Sequence, residues 1–254
     1  MAQRTIYATR SMEYQIPSVD GGRPLRLALD ERPESLTALT LDAIRSAITD
    51  ATLPPGARVT EAGLAAQLDV SKTPVREALL KLRQVGLIEE DGRRGWRVVR
   101  PSLERIHDAY EMREALEVFA SRRAAGAGAS DRNEAIVTAA QASLDGALGG
   151  SAELFRQWDS AFHLGVARAT GNARLVDAIE DVHSLIVTLR QRDAPHLEFH
   201  VECAEAHLRI AEAICAGDVT LAEQEARAHV HQVRDYVLTS FSQREAREVQ
   251  AGLK

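Results

Sequence analysis

Leu64-Ala65-Ala66-Gln67-Leu68-Asp69-Val70-Ser71-Lys72-Thr73-Pro74-Val75-Arg76-Glu77-Ala78-Leu79 is the stretch from which the fold can be read. Thr73 followed by Pro74 reads as a helix start, a side-chain cap followed by a residue whose missing N–H costs nothing in the first turn. Ala78, Leu79, Leu82 and Val85 then recur at helical spacing as far as Gly86, a residue suited to ending a helix. Upstream, Thr60 caps a second periodic segment, Glu61 to Leu68, that buries Leu64, Ala65 and Leu68. Asp69-Val70-Ser71 is all that separates the two, so the pattern predicts a helix-turn-helix.

The reading extends in both directions. Leu36, Leu39, Ala43, Ile44, Ala47 and Ile48 predict a preceding helix, which Leu53-Pro54-Pro55-Gly56 stops. Downstream, Leu87-Ile88-Glu89-Glu90 and Gly95-Trp96-Arg97-Val98-Val99 flank Asp91-Gly92-Arg93-Arg94, a strand-turn-strand pattern closed by Pro101. Residues 36–101 thus form a winged helix-turn-helix. Residues 1–35, with Gly21-Gly22, three prolines and no sustained apolar period, are expected to be a tail.

Beyond residue 102 the apolar period is helical almost throughout. Helices are expected over about 102–127, 131–148, 152–169, 172–192, 197–216 and 220–242, punctuated by Gly149-Gly150, Gly171-Asn172, Pro195 and Gly217-Asp218. Short connections imply an antiparallel all-α bundle over 102–242, followed by a C-terminal tail at 243–254. The fold class is therefore mainly α, with a small β-hairpin as its wing. Composition agrees, with 45% hydrophobic residues and only 4% aromatics, a mixture that favours helices over sandwiches or barrels.

The net charge of −6 is unevenly placed. Residues 56–101 carry 9 Lys and Arg against 6 Asp and Glu, whereas residues 102–254 carry 16 against 24. A short basic island inside an acidic chain excludes a whole-surface polyanion binder and leaves a local phosphate-attracting patch. No apolar run approaches the ~18 residues of a membrane span, and the first residues have no secretion-signal core, so a cytoplasmic protein without membrane contact is expected. Cys203 and Cys215 lie twelve apart on one expected helix, roughly 18 Å at about 1.5 Å per residue, too far to bridge. Both read as small core residues, with no cysteine-metal framework.

In a helix-turn-helix the start of the second helix enters the major groove, which gives Ser71, Lys72, Thr73 and Arg76 access to phosphates and base edges. The planar fork of Arg76 matches the O6 and N7 acceptors of guanine. Arg93 and Arg94 at the wing tip would meet backbone or minor groove. Leu53-Pro54-Pro55-Gly56, the quoted stretch, Gly86-Leu87-Ile88 and Arg93-Arg94-Gly95 together closely resemble the DNA-binding domain of GntR-type transcription regulators. The resemblance implies DNA contact at these positions, Gly95 included, and a homodimer on a palindromic double-stranded operator. Lys72 stands where that family commonly has Arg, and Ala62 where some members carry a basic contact.

Helical phase sorts the eight histidines. Asp159 and His163 are four apart and share a face with Phe155, Phe162 and Val166; His207 lies on the stripe Cys203, Ile210, Ile214; His229 lies on Ala222, Ala226, Val233. His231, beside Arg227, Arg234 and Asp235, should be solvated. One carboxylate and three imidazoles turned inward need either hydrogen bonds or a cation. A divalent metal would satisfy all four, zinc in first place, with nickel, iron or manganese as alternatives. Asp159 to His163, Ala169-Thr170-Gly171-Asn172, His207 to Ile214 with Gly217-Asp218, and His229 look like the FCD effector domain of FadR-like GntR regulators, over residues 104–241. The resemblance implies that these four residues bind a metal that helps hold a small organic acid.

Arg113 matches an Arg-x-x-Leu-Glu pattern of that family and could pair with an effector carboxylate; equally, it could form a surface i,i+4 pair with Glu117. His183, in phase with Val176, Ile179 and Ile186, is either a core histidine or a cavity residue. Two other functions compete with a ligand-responsive regulator, expected to be a repressor and not an enzyme. An Asp/His site could activate water in a metal-dependent hydrolase, for which His107-Asp108 offers a suggestive dipeptide. An architectural DNA binder with an inert dimerisation bundle would not need four polar residues turned inward.

Overall fold

The computed structural model describes residues 35–92, 95–128, 131–190 and 197–252, together with the backbone of 14–15 and 26–27. Within the expected tail, Tyr14–Gln15 (β1) pairs antiparallel with Arg26–Leu27 (β2), Tyr14 opposite Leu27.

The DNA-binding module is built from Leu36–Thr49 (α1), Arg58–Val59 (β3), Glu61–Leu68 (α2), Lys72–Val85 (α3), Ile88–Glu90 (β4) and Trp96–Val98 (β5). Ser35 and Thr60 cap α1 and α2 by accepting from the Ala38 and Gly63 N–H groups. Helix α3 starts earlier than its sequence predicts: Ser71 is the cap residue, and Thr73 and Pro74 are the second and third helical positions. Every N–H of the first turn lacks an intrahelical acceptor, so proline is tolerated at any of these positions and does not by itself mark the first. The expected hairpin forms, with Ile88 opposite Val98. It gains a third strand, β3, on the far side of β5, with Val59 opposite Trp96. Two residues are too few to show alternation, so β3 left no periodic signal.

Ile44, Ile48, Leu64, Val75, Leu79, Leu82, Leu87, Ile88, Trp96 and Val98 make the core of this module. Gly86 turns the chain out of α3 at φ +82. Gly86→Ala is expected to cost about 1–2 kcal/mol in urea unfolding, because a side chain is disfavoured in the left-handed region. Crowding plays no part, since the added Cβ would meet only Leu185, at 3.8 Å.

The bundle comprises Leu103–Gly126 (α4), Asp131–Leu148 (α5), Ala152–Ala169 (α6), Ala173–Arg190 (α7), Leu197–Ala216 (α8) and Val219–Gln250 (α9). Helix α5 packs on α6 and α8, and α4 on α9 and α7. One apolar cluster gathers Ile136, Phe162, Val166, Ile179, Ile210 and Ile214. A second gathers Ile106, Tyr110, Phe155, Val182, Leu189, Val233, Val237 and Phe241. Helix α9 continues to Gln250 where a tail was expected from residue 243. The buried stripe ends at Phe241; beyond it Arg244 stacks over the Phe241 ring and pairs with Glu248 one turn on, so half-buried polar side chains rather than an apolar stripe carry the helix forward.

Helix α7 joins the two modules. Arg45 of α1 pairs with Asp181 at 2.7 Å and donates to Ser184 at 3.3 Å, and Leu185 packs against the core of the DNA-binding module. Arg105 reaches Glu89 across the same seam at 2.8 Å. A cleft of about 930 Å³ lies between these ties, lined by Lys81, Val85, Met112 and Leu185 among others. Among the described residues, no helix is long and apolar enough to cross a membrane.

Candidate nucleic-acid interface and candidate metal centre

At the start of α3, Ser71, Lys72, Thr73 and Arg76 are all exposed, while Pro74, Val75, Ala78 and Leu79 are buried beneath them. The helical period thus puts the polar side chains on one face and leaves them to solvent. Glu77, the acidic neighbour of Arg76, instead accepts from Thr37 of α1 at 2.7 Å. Other charges of the basic island are engaged within the fold. Arg58 and Arg97 both pair with Asp91, and Arg83 pairs with Glu90. Asp91 is held below its usual carboxylate range, chiefly by the hydrogen bond from Arg97. Arg93 and Arg94 lie outside the described residues. Gly95 accepts from the Asp91 N–H at 2.9 Å, and a Cβ there would stand 2.8 Å from the Asp91 carbonyl oxygen. Its place in the motif is therefore explained by closure of the wing turn.

Inside the bundle the four proposed ligand positions converge from three helices, α6, α8 and α9. His163, His207 and His229 are buried, with ring nitrogens within 4.8 Å of one another. Asp159 sits at their rim with its side chain 29% exposed; its Oδ1 is 3.8 Å from His163 Nε2 and 3.5 Å from His207 Nε2. Hydrogen bonds select the tautomers. The Ser143 hydroxyl donates to the Ala140 carbonyl at 2.7 Å, so toward His207 Nδ1, 3.2 Å away, it accepts. His207 then carries its proton on Nδ1 and turns the Nε2 lone pair to the cluster. Glu117 Oε2 accepts from His163 Nδ1 at 3.1 Å and does the same for that ring. This is the carboxylate–histidine arrangement that orients metal-binding imidazoles.

Arg113 is buried, with its NH2 nitrogen 2.9 Å from His163 Nε2 and 3.3 Å from His229 Nε2. The guanidinium donates from Nε to Glu117 Oε1 at 2.8 Å. The i,i+4 pair thus exists, but in the interior, where Arg113 is 4% and Glu117 5% exposed. The surface version of that pair is corrected. Tyr110, Arg113, Glu117, Ser121 and Ala124 are all buried along α4, so the phase argument that turned the histidines inward would have found Glu117 too. His183 also belongs here, its Nε2 donating to Glu117 Oε1 at 2.5 Å. The cluster therefore draws on α4, α5 and α7 as well, and α7 carries both His183 and the Asp181, Ser184 and Leu185 contacts to the DNA-binding module.

Charge states follow from burial and proximity. Burial pushes His207 down to about 3, with His163 adding to the effect, and it holds His229 well below the ordinary value. His183 is lowered by burial despite its bond to Glu117. Burial raises Glu117 and Asp159, but in both it is outweighed. Arg113 and His163 hold Glu117 well below the carboxylate range, and His163, His207 and Arg113 lower Asp159. Neutral imidazole lone pairs and anionic carboxylates around one point are the donors a borderline divalent cation accepts. That Arg113, a cation, already turns an N–H toward two of the lone pairs shows the same chemistry. The residues fit such an ion: His163, His207, His229 and Asp159 would hold it, and it would supply a Lewis-acidic point for an anion.

The cavity beside Glu117, Phe162 and His163 is about 10 Å³, room for about one water. His107 and Asp108 lie with Glu111 on the exposed face of α4, remote in character from the buried cluster. His231, expected to be solvated, is partly covered and bonds to Glu114 of α4 at 2.8 Å. Cys215 is exposed and Cys203 buried, both as free thiols. Cys203 does not merely pack: its Sγ is 3.9 Å from His207 Nε2 and 4.0 Å from Asp159 Oδ1.

A winged helix-turn-helix on a helical bundle with a buried polar centre defines a DNA-binding regulator. Known proteins agree. Residues 37–98 match the description "Bacterial regulatory proteins, gntR family", and residues 108–232 match "FCD domain". The "Probable D-xylose utilization operon transcriptional repressor" of Paenarthrobacter nicotinovorans is 33% identical over 207 residues, 80% of this chain and 91% of that one. An HTH-type transcriptional regulator "in unstable DNA locus" of Streptomyces ambofaciens is 31% identical over 201 residues, 76% of this chain and 80% of that one. Escherichia coli McbR/YncC has the same fold, with a TM-score of 0.70 at 20% identity, covering 82% of this chain and 99% of that structure. The chain belongs to the GntR family of transcription regulators and carries an FCD domain. Its relatives are regulators rather than enzymes, which sets the hydrolase aside.

Proposed function

We propose that this protein is a ligand-responsive repressor whose winged helix-turn-helix at 36–101 reads a palindromic operator as a homodimer. Its bundle at 102–242 binds a divalent metal, zinc first, through Asp159, His163, His207 and His229, and with Arg113 a small organic acid. The observation that carries the reading is the convergence of three buried imidazoles, His163, His207 and His229, beside Asp159, with the Arg113 guanidinium turned to two of them, His163 and His229. An inert dimerisation bundle has no use for so costly a polar centre. Because the cavity there is so small, an acid must displace Arg113 from the histidines and bind a bundle conformation different from this one. Differential affinity for two conformations is what shifts a population between them. Helix α7, which touches both the cluster and α1, offers the route to the DNA-binding module. Double-stranded operator DNA would be contacted by Ser71, Lys72, Thr73 and Arg76, with Arg93, Arg94 and Gly95 on the wing.

Fragments of the host genome would be selected for binding, and the selected operator titrated with wild type and variant. Arg76→Ala is expected to weaken operator binding by about 1–3 kcal/mol per half-site while leaving non-specific binding nearly unchanged. Equal loss on both kinds of DNA would make Arg76 a phosphate contact. Organic acids, sugars and sugar acids would then be screened by thermal shift against metal-loaded and metal-stripped protein; the name of the Paenarthrobacter relative puts sugars on that panel. A hit that needs the metal and lowers operator affinity is expected. If no acid changes operator affinity, the inert-bundle alternative stands.

A further inference from the structure

Resting on the metal reading above, we infer that Cys203 is a further ligand of the same cation and that it biases the site toward a thiophilic metal, zinc rather than manganese. Cys203 and His207 are one helical turn apart on α8 and share its inward face, the one 4% and the other 0% exposed. Sγ lies 3.9 Å from His207 Nε2 and 4.0 Å from Asp159 Oδ1. Adjacent donor atoms about 2.0–2.3 Å from one cation are separated by about 2.8–3.8 Å, so the three need to draw together only slightly.

A second observation points the same way. With its proton committed to Ser143, His207 turns the Nε2 lone pair toward an Asp159 oxygen 3.5 Å away, so two acceptors face each other in a buried site. The Cys203 S–H, which reaches both atoms, eases that conflict in the metal-free site, and a cation shared by all three donors would replace its proton. Thiolate sulfur is a soft ligand that suits zinc, whereas a carboxylate and imidazoles alone accommodate manganese as well. Binding exchanges the S–H proton for the metal, and that proton leaves to solvent; no electrons move.

The test is titration of the full-length, metal-stripped protein with cobalt(II), followed by absorption. Bound cobalt at the cluster gives visible d–d bands that His207→Ala removes. If Cys203 ligates, wild type also shows a near-ultraviolet sulfur-to-cobalt charge-transfer band, which Cys203→Ser abolishes and Cys215→Ser keeps. In competition, Cys203→Ser is expected to lose about 10- to 100-fold in zinc affinity, with manganese affinity much less affected. The wild-type spectrum alone decides the matter should Cys203→Ser fold poorly: d–d bands without the charge-transfer band overturn Cys203 as a ligand. No d–d bands sensitive to His207 would overturn the metal centre itself, a different result.

Discussion

Glu117→Ala is expected to lower the unfolding free energy by about 3–5 kcal/mol, the penalty for leaving one member of a buried ion pair uncompensated. Glu117 receives Arg113, His163 and His183 on two oxygens, and alanine would strand all three in the interior. The depressed pKa of Glu117, held down by Arg113 and His163 against the pull of burial, states the same dependence from the other side. Urea unfolding of metal-stripped protein measures it. The double variant Arg113→Met, Glu117→Leu removes the charge with its partner and is expected to recover much of the loss, since apolar replacement of a buried pair is often near neutral. It should at the same time abolish the response to any organic acid. A Glu117→Ala change costing under about 1 kcal/mol would mean that water reaches Arg113 freely and that the site is open.

Acid is the second large perturbation. For His207 the folded value is about 3 against an ordinary 6.5. Above pH 6.5 both folded and unfolded forms are neutral and nothing is gained or lost. Between 6.5 and 3 the unfolded chain takes up a proton that the folded one refuses, so stability falls as pH falls. At pH 5 this amounts to about 2 kcal/mol for His207 alone. His229, lowered by burial in the same direction, adds to it. Asp159 and Glu117, also depressed, contribute only below their ordinary values of 3.8 and 4.5. Metal-stripped protein should therefore lose several kcal/mol between pH 7 and 5, read from urea midpoints, and His207→Gln should flatten that slope. A flat wild-type profile over this window would show that the histidines are not held neutral by burial.

The two modules and the reading face of α3 needed little beyond sequence, because each is a local property. Alternation of buried and exposed positions along Lys72–Val85 follows from the helical period, and the cap at Thr60 follows from backbone groups that only neighbouring residues can satisfy, whereas the start of α3 fell at Ser71 rather than at Thr73. Inward placement of His163, His207 and His229 was legible for the same reason. Phase on a helix states which residues face inward, but not which of them meet. That Arg113 and Glu117 pair in the interior rather than at the surface depended on α4 being covered by α6, α7 and α9. That Cys203 lies beside Asp159 and His207 depended on how α8 packs against α6. Strand β3 existed only through its partner β5, and the link from the cluster to the DNA-binding module passes through one helix, α7, whose two faces touch different cores. The contacts between helices join residues dozens of positions apart, Cys203 with Asp159 among them, and their distances are set by interhelical packing, a quantity that no period within a single helix encodes.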